Sequence, residues 1–224
     1  MNRSLLWGAG LVALLIIVAI VWYLGSPLFI NRQVDEAFPV EIPSRDAIEN
    51  MSAEELKALE EQFEAALPSE AELAAMPQAQ REEMEKKAME FITMMPEKVT
   101  DEAMPTTGSS APQLILQGDF QDADSFHQGS GQALIYSLPD GGLVLRLENF
   151  QVTNGPDLHV LLATGSPHPA DNEELGEYLD LGSLKGNIGN QNYDLPAGID
   201  VNLYMSVVIY CKPFHVVFAT AALE

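Results

Sequence analysis

Ala133-Leu134-Ile135-Tyr136 and Leu143-Val144-Leu145-Arg146-Leu147 flank Asp140-Gly141-Gly142, and this stretch decides the fold of the C-terminal half. Each run is too short for a helix, which needs about 10–12 residues, and is rich in residues that suit a half-buried pleat. The Asp-Gly-Gly between them supplies the positive backbone angles of a tight turn, so the pair reads as a β-hairpin. Working outward, Leu114-Ile115-Leu116, Leu158 to Ala163 and Val201 to Ile209 repeat the pattern, separated by Gly, Asn, Asp and Pro. Seven or eight strands in roughly 115 residues predict a mainly β domain, a β-sandwich or a jelly-roll-like barrel. Asn172 to Leu179 is expected to add a turn or two of helix.

The small-residue run Pro105-Thr106-Thr107-Gly108-Ser109-Ser110-Ala111-Pro112 reads as a linker, which starts the β domain at 106 and carries it to 224. Upstream, the period changes to helical. Ser52-Ala53-Glu54-Glu55 has the spacing of a capping box, and Leu56, Leu59, Phe63 and Leu67 follow on one face before Pro68. Ser69 and Glu72 repeat the cap, and Met84, Ala88, Phe91, Ile92 and Met95 form a third apolar stripe that Pro96 stops. A shift of 28 residues superposes Glu54, Glu55, Leu56, Phe63 and Pro68 on Glu82, Glu83, Met84, Phe91 and Pro96, as if one helical unit occurred twice. Residues 31–105 are thus expected to be a short, acidic α-helical spacer that packs on itself, with a Pro-punctuated extended stretch through Pro43 at its start; the alternative is a stalk whose apolar stripes meet a partner.

Leu5 to Leu24 carries no charge, and about 20 residues rising 1.5 Å each match a hydrocarbon layer of roughly 30 Å. The run is too long for the apolar part of a cleaved signal peptide, and Trp22-Tyr23 has the character of an interfacial belt. Residues 1–30 are therefore predicted to be a single-pass transmembrane anchor in a cell membrane. Arg3 before the span favours a cytoplasmic N-terminus, which would leave the body extracytoplasmic.

The net charge is −22. Residues 31–105 hold 7 basic and 19 acidic residues and residues 106–224 hold 3 and 14, so neither soluble part is basic. Binding a phosphate backbone depends on Lys and Arg displacing counterions, which argues against nucleic acid as a partner. The lipid bilayer, through the N-terminal helix, is the partner that the sequence names.

One cysteine, Cys211, excludes an internal disulfide. Pro213 cannot donate to a ladder, so Cys211 is expected at the interruption of a strand, with Lys212 favouring its thiolate. His215 lies four residues on. With a bend at Pro213, and with His159 from a neighbouring strand, His159, Cys211 and His215 would form a trigonal copper site, although no Met follows as axial ligand. The ordinary reading of Cys211 is a small buried hydrophobe, and His127 and His168 read as structural. Asn154-Gly155-Pro156-Asp157-Leu158-His159 forms a turn into a strand, with Asp157 and His159 on one face. Leu181 to Asp194, dense in Gly and amide side chains, reads as a structured turn, since the Gly-Lys-Ser/Thr of a phosphate loop is missing. The methionines at 76, 84, 89, 94, 95 and 104 are read as packing rather than as thioether ligands.

Gly118-Asp119-Phe120, His127 before Gly131-Gln132-Ala133, Leu147-Glu148-Asn149-Phe150, Asn154 to Leu158, Leu184-Lys185-Gly186-Asn187 through Tyr193-Asp194, and Cys211 with Phe214, Val216 and Phe218 make up a wider pattern. In these residues the stretch from about 113 to 223 resembles the DM-thirteen domain, a family proposed to act in extracellular electron transfer. The resemblance implies a redox role for the single cysteine, as a bare thiol or as the holder of a group such as haem. On that basis Cys211 is the candidate redox residue, with His215 and His159 beside it as candidate cofactor-binding residues. The sequence has no C-x-x-C-H attachment motif, and the cofactor stays open between none, haem and copper. The function read from these features is a membrane-anchored accessory electron-transfer module, not itself an enzyme, that serves a protein redox partner. The alternative is a non-enzymatic binding or cell-surface module whose cysteine is structural, and a copper-binding domain is the third reading.

Overall fold

The computed structural model describes residues 43–105, 111–165 and 175–224. Among the described residues, four helices precede eight strands. Helix α1 spans Arg45–Glu49, α2 Ala53–Ala66, α3 Glu70–Ala75 and α4 Gln78–Ile92. Both expected capping boxes form: Ser52 with Glu55 starts α2, and Ser69 with Glu72 starts α3. Each serine satisfies a first-turn N–H while the glutamate returns a bond to the serine N–H. The 28-residue echo has a packing meaning, because its equivalent rings, Phe63 of α2 and Phe91 of α4, stack at 4.2 Å and are fully buried. With Ile48, Leu59, Ala88 and Ile92 they form the core of a helical layer. Helix α1 lies between the Pro-punctuated stretch that ends at Pro43 and the first helix read from the sequence, and Ile48 is its buried residue.

The strands are β1 Gln113–Asp122, β2 Gly129–Ser137, β3 Leu143–Val152, β4 Leu158–Ala163, β5 Tyr178–Ser183, β6 Ile188–Asp194, β7 Ser206–Cys211 and β8 Val216–Ala222. They make one antiparallel sheet in the order β5-β4-β7-β8-β1-β2-β3-β6. Strand β1 joins its two halves: Gln113 to Asp119 pair with β2, and Phe120 to Asp122 pair with β8. The mainly β expectation holds, but the layers are those of a nearly closed barrel rather than of a jelly roll. The Asp140 hairpin forms as expected, with Asp140 Oδ1 accepting from the Gly142 N–H at 3.0 Å. Inside lie Ile135, Leu145, Leu147, Phe150, Val160, Leu162, Ile209 and Phe218.

Two stretches differ in part from the sequence reading. Of the expected helical turn over Asn172 to Leu179, residues 172–174 lie outside the described residues, Leu175 is in a 3-10 turn, and Tyr178 and Leu179 begin β5; the Gly/Asn-rich run from Leu181 to Asp194 contains β6. Their few apolar residues concealed both strands, because each lies at an edge of the sheet and is held more by backbone bonds than by buried side chains. Val201–Leu203, expected to open a strand, is a turn of 3-10 helix capped by Asp200.

The helical layer meets the barrel at the β7–β8 turn, where Phe214 packs against both cores and Met89 of α4 rests on the barrel core. Residues 97–103 then run beside β6, with Val99 bridged in parallel to Ile188. Among the described residues no helix is long and apolar enough to cross a membrane, and the predicted span Leu5–Leu24 lies outside them.

Candidate functional site

Cys211 is the last residue of β7, and Lys212, Pro213, Phe214 and His215 form the turn into β8. Pro213 therefore interrupts the strand pair as expected, and His215 closes the turn with φ 58°, an angle that L side chains rarely adopt. The thiol points inward. Cys211 is 1% exposed among the barrel-core residues, and its Sγ–H donates to the Pro156 carbonyl at 3.1 Å. Burial pushes its pKa up to about 12; the Phe214 N–H opposes this, and the negative charges of Glu85 and Asp157 add to it.

Lys212 does not lower it. Its Nζ turns to Asp180 Oδ2 at 2.9 Å, so the expected help to the thiolate is redirected to a carboxylate. Asp180 also receives His159 Nδ1 at 2.8 Å and the Gly182 N–H at 2.9 Å. Burial alone would raise the Asp180 carboxyl, but the bonds from His159, Lys212 and Gly182 outweigh it and hold the pKa at about 2. His159 Nε2 faces Asp157 Oδ1 at 3.1 Å, which places Asp157 and His159 on one face as read from the sequence.

The structure does not assemble His159, Cys211 and His215. Cys211 pairs across the sheet with Leu158, and Tyr210 pairs with His159. Adjacent residues of a strand face opposite sides, so Cys211 and Leu158 point into the barrel while Tyr210 and His159 point away. His215 sits edge-on to Tyr210 with ring centroids 6.1 Å apart, on the far side from the thiol. Among the described residues no group of three His, Cys, Asp or Glu side chains is arranged to hold a metal ion. Haem meets a different obstacle: Cys211 is enclosed by Leu158, Ile209 and Phe218, with its Sγ already bonded. A planar macrocycle does not fit against the sulfur in this packing.

His127, read as structural, carries a feature that the sequence did not signal. It is 8% exposed, its Nδ1 is 2.8 Å from Asp124 Oδ2, and Asp124 Oδ1 also accepts the N–H groups of Phe126 and His127. With Nδ1 turned to Asp124, Nε2 is buried without a hydrogen-bond partner among the described residues. The ring leans on Phe218 at 4.4 Å. Phe218 in turn abuts Gly155, where a Cβ would lie 2.5 Å from the ring, and the next residue, Pro156, holds the Cys211 thiol. His127 and Cys211 thus occupy the same end of the barrel, and Glu85 of α4 lies within electrostatic reach of both. Burial raises the Glu85 carboxyl, with His127 pulling it back. His168, also read as structural, lies outside the described residues.

No curated protein and no solved structure matches this chain. Residues 119–223 match the family model described as Electron transfer DM13, a range that runs from the middle of β1 to the end of β8 and contains both Cys211 and His127. Over residues 119–223, the β domain of this chain therefore matches the DM13 electron-transfer family.

Proposed function

We propose that the chain is a membrane-anchored, extracytoplasmic accessory module of electron transfer, that Cys211 is its redox-relevant residue, and that a protein redox partner exchanges electrons with it. The family match supports the electron-transfer class. The observation that carries the assignment to this end of the barrel is that the chain's single thiol and a His127 Nε2 with no hydrogen-bond partner among the described residues are both buried within electrostatic reach of Glu85. Burial pushes the Cys211 pKa up to about 12, so the thiol stays protonated at neutral pH and direct thiolate chemistry is suppressed in the closed fold. The helical layer packs on the core that contains Cys211 through Phe214 and Met89, and its displacement is the proposed route to the sulfur. The apolar run Leu5–Leu24 supports the anchor by its length and lack of charge.

A second reading has a specific observation in its favour. A thiol 1% exposed and bonded to a carbonyl is what a structural cysteine looks like, and the domain would then be a non-enzymatic binding or cell-surface module. The full chain in detergent separates the two. Its visible spectrum and metal content are recorded, and Cys211 is titrated with a thiol reagent across pH, alone and with a membrane fraction that holds candidate redox proteins. Partner-dependent oxidation of Cys211, or a chromophore lost in Cys211→Ser, supports the electron-transfer module. A colourless chain whose thiol stays reduced and inert throughout overturns it in favour of the binding module.

A further inference from the structure

We propose that the β6 edge is a binding site for an extended acidic peptide, and that residues 97–103 are its tethered occupant. This assignment is independent of the role of Cys211. An edge strand presents unpaired backbone groups that accept an added strand, with side-chain contacts supplying specificity. Here the backbone pairing is parallel: the Thr100 N–H donates to the Ile188 carbonyl at 2.8 Å, the Ile188 N–H to the Lys98 carbonyl at 3.3 Å, and the Glu102 N–H to the Asn190 carbonyl at 2.8 Å.

Side chains of the edge then read the occupant. Asn187 Oδ1 accepts the Lys98 N–H at 2.7 Å while its Nδ2 donates to the Glu97 carboxylate. Asn190 Nδ2 donates to Asp101 Oδ1 at 2.8 Å, and Asn192 donates its backbone N–H to Glu102 Oε2 and its Nδ2 to the Ala103 carbonyl, both at 2.8 Å. Lys185 Nζ lies 2.9 Å from both oxygens of Glu102. Arg146, 5% exposed, donates from Nη1 to the Glu102 carbonyl at 3.0 Å, so a buried cation has part of its hydrogen bonding supplied by the occupant. The β domain holds three basic residues, and two of them converge on Glu102.

The groove is also shaped for a backbone. A Cβ on Gly186 would stand 2.4 Å from the Lys98 carbonyl oxygen, and one on Gly189 would stand 2.0 Å from that of Thr100. The turn that presents Lys185 is pinned from within by the fully buried Gln191, which accepts from the Lys185 and Gly186 N–H groups and donates to the Gly186 carbonyl at 2.6 Å. The site thus lies within the residues that match the family, whereas the occupant lies outside them. A short tether gives an effective concentration of about millimolar, so a free peptide of micromolar affinity added at micromolar concentration does not displace it from the intact chain.

The test uses the full chain and a fluorescent peptide of residues 96–104. Thr100→Pro removes the N–H that pairs with Ile188, and Glu102→Ala removes the carboxylate; together they empty the edge. The peptide is expected to bind this double variant at least tenfold more tightly than the unmodified chain. Adding Gly189→Val or Lys185→Met to the double variant should cost at least tenfold, as should replacing Asp101 and Glu102 of the peptide by Asn and Gln. If the double variant does not fold, a protease site placed within residues 106–110 and then cut frees the C-terminal end of the segment, which stays joined to α4, and a large excess of peptide should exchange onto the edge of the otherwise unaltered protein. Failure of the peptide to bind in both settings, or binding indifferent to Lys185→Met and Gly189→Val, overturns the proposal.

Discussion

Cys211 and Lys212 are neighbours in sequence but occupy opposite electrostatic situations. One side chain is sealed in the barrel and the other bonds a carboxylate at its surface. The thiol's folded pKa of about 12 lies above its ordinary value of 9.0, so unfolding releases its proton more readily than the native state does. The stability that this group contributes is complete below about pH 9 and is lost as pH rises toward 12. Alkaline denaturation curves should therefore be shallower for Cys211→Ser than for the unmodified chain; coincident curves would mean that the thiol is not buried as described. Asp180 works in the opposite direction. With its pKa held at about 2 against an ordinary 3.8, its contribution is present above about pH 4 and lost as pH falls toward 2. Asp180→Asn is expected to cost about 1–2 kcal/mol at neutral pH and almost nothing at pH 2 by urea denaturation. That Cys211 stands at a strand interruption was legible from Pro213. Which way it faces was not, because facing follows from the pairing of Leu158 with Cys211, and cross-strand register is a property of two segments rather than one.

At the scale of elements, the helices declared themselves more fully than the strands. Capping boxes and a 3.6-residue stripe are local, so α2 and α3 could be placed from Ser52, Glu55, Ser69 and Glu72, and the echo pointed to Phe63 and Phe91. Strands β5 and β6 were hidden because their partners are remote: β6 pairs with β3 on one side and with residues 98–102 on the other, through Gly and Asn rather than through an apolar face. The stacked pair Phe63–Phe91 gives a test of the helical layer as the cover of Cys211. Phe91→Ala should destabilise that layer by about 3–5 kcal/mol and speed thiol labelling of Cys211 severalfold while the β-sheet signal in circular dichroism persists. Unchanged labelling would show that α4 does not control access to the thiol.

For the whole molecule, the acidic balance and the apolar run Leu5–Leu24 are the sequence features on which the proposed location rests. A net charge of −22 sets it against anionic partners, while the two cations on Glu102 are spent within the molecule. The proposed orientation predicts that protease added to intact cells removes the body and leaves the N-terminal segment in the membrane; a protected body would refute an extracytoplasmic location. Closure of the barrel was not legible in the sequence, since it depends on β1 dividing its length between β2 and β8, whereas the family pattern and the lone cysteine were. The central claim is that electrons pass through the end of the barrel that holds Cys211. It is tested most directly by equilibrating the full-length chain beside Cys211→Ser with oxidised and reduced glutathione, and following the mixed disulfide that the Cys211 thiol forms with one half of the oxidised reagent as the other half leaves as reduced glutathione. The account predicts a mixed disulfide that forms reversibly in the unmodified chain and is absent from Cys211→Ser; the same adduct in both, or none in either, would contradict it.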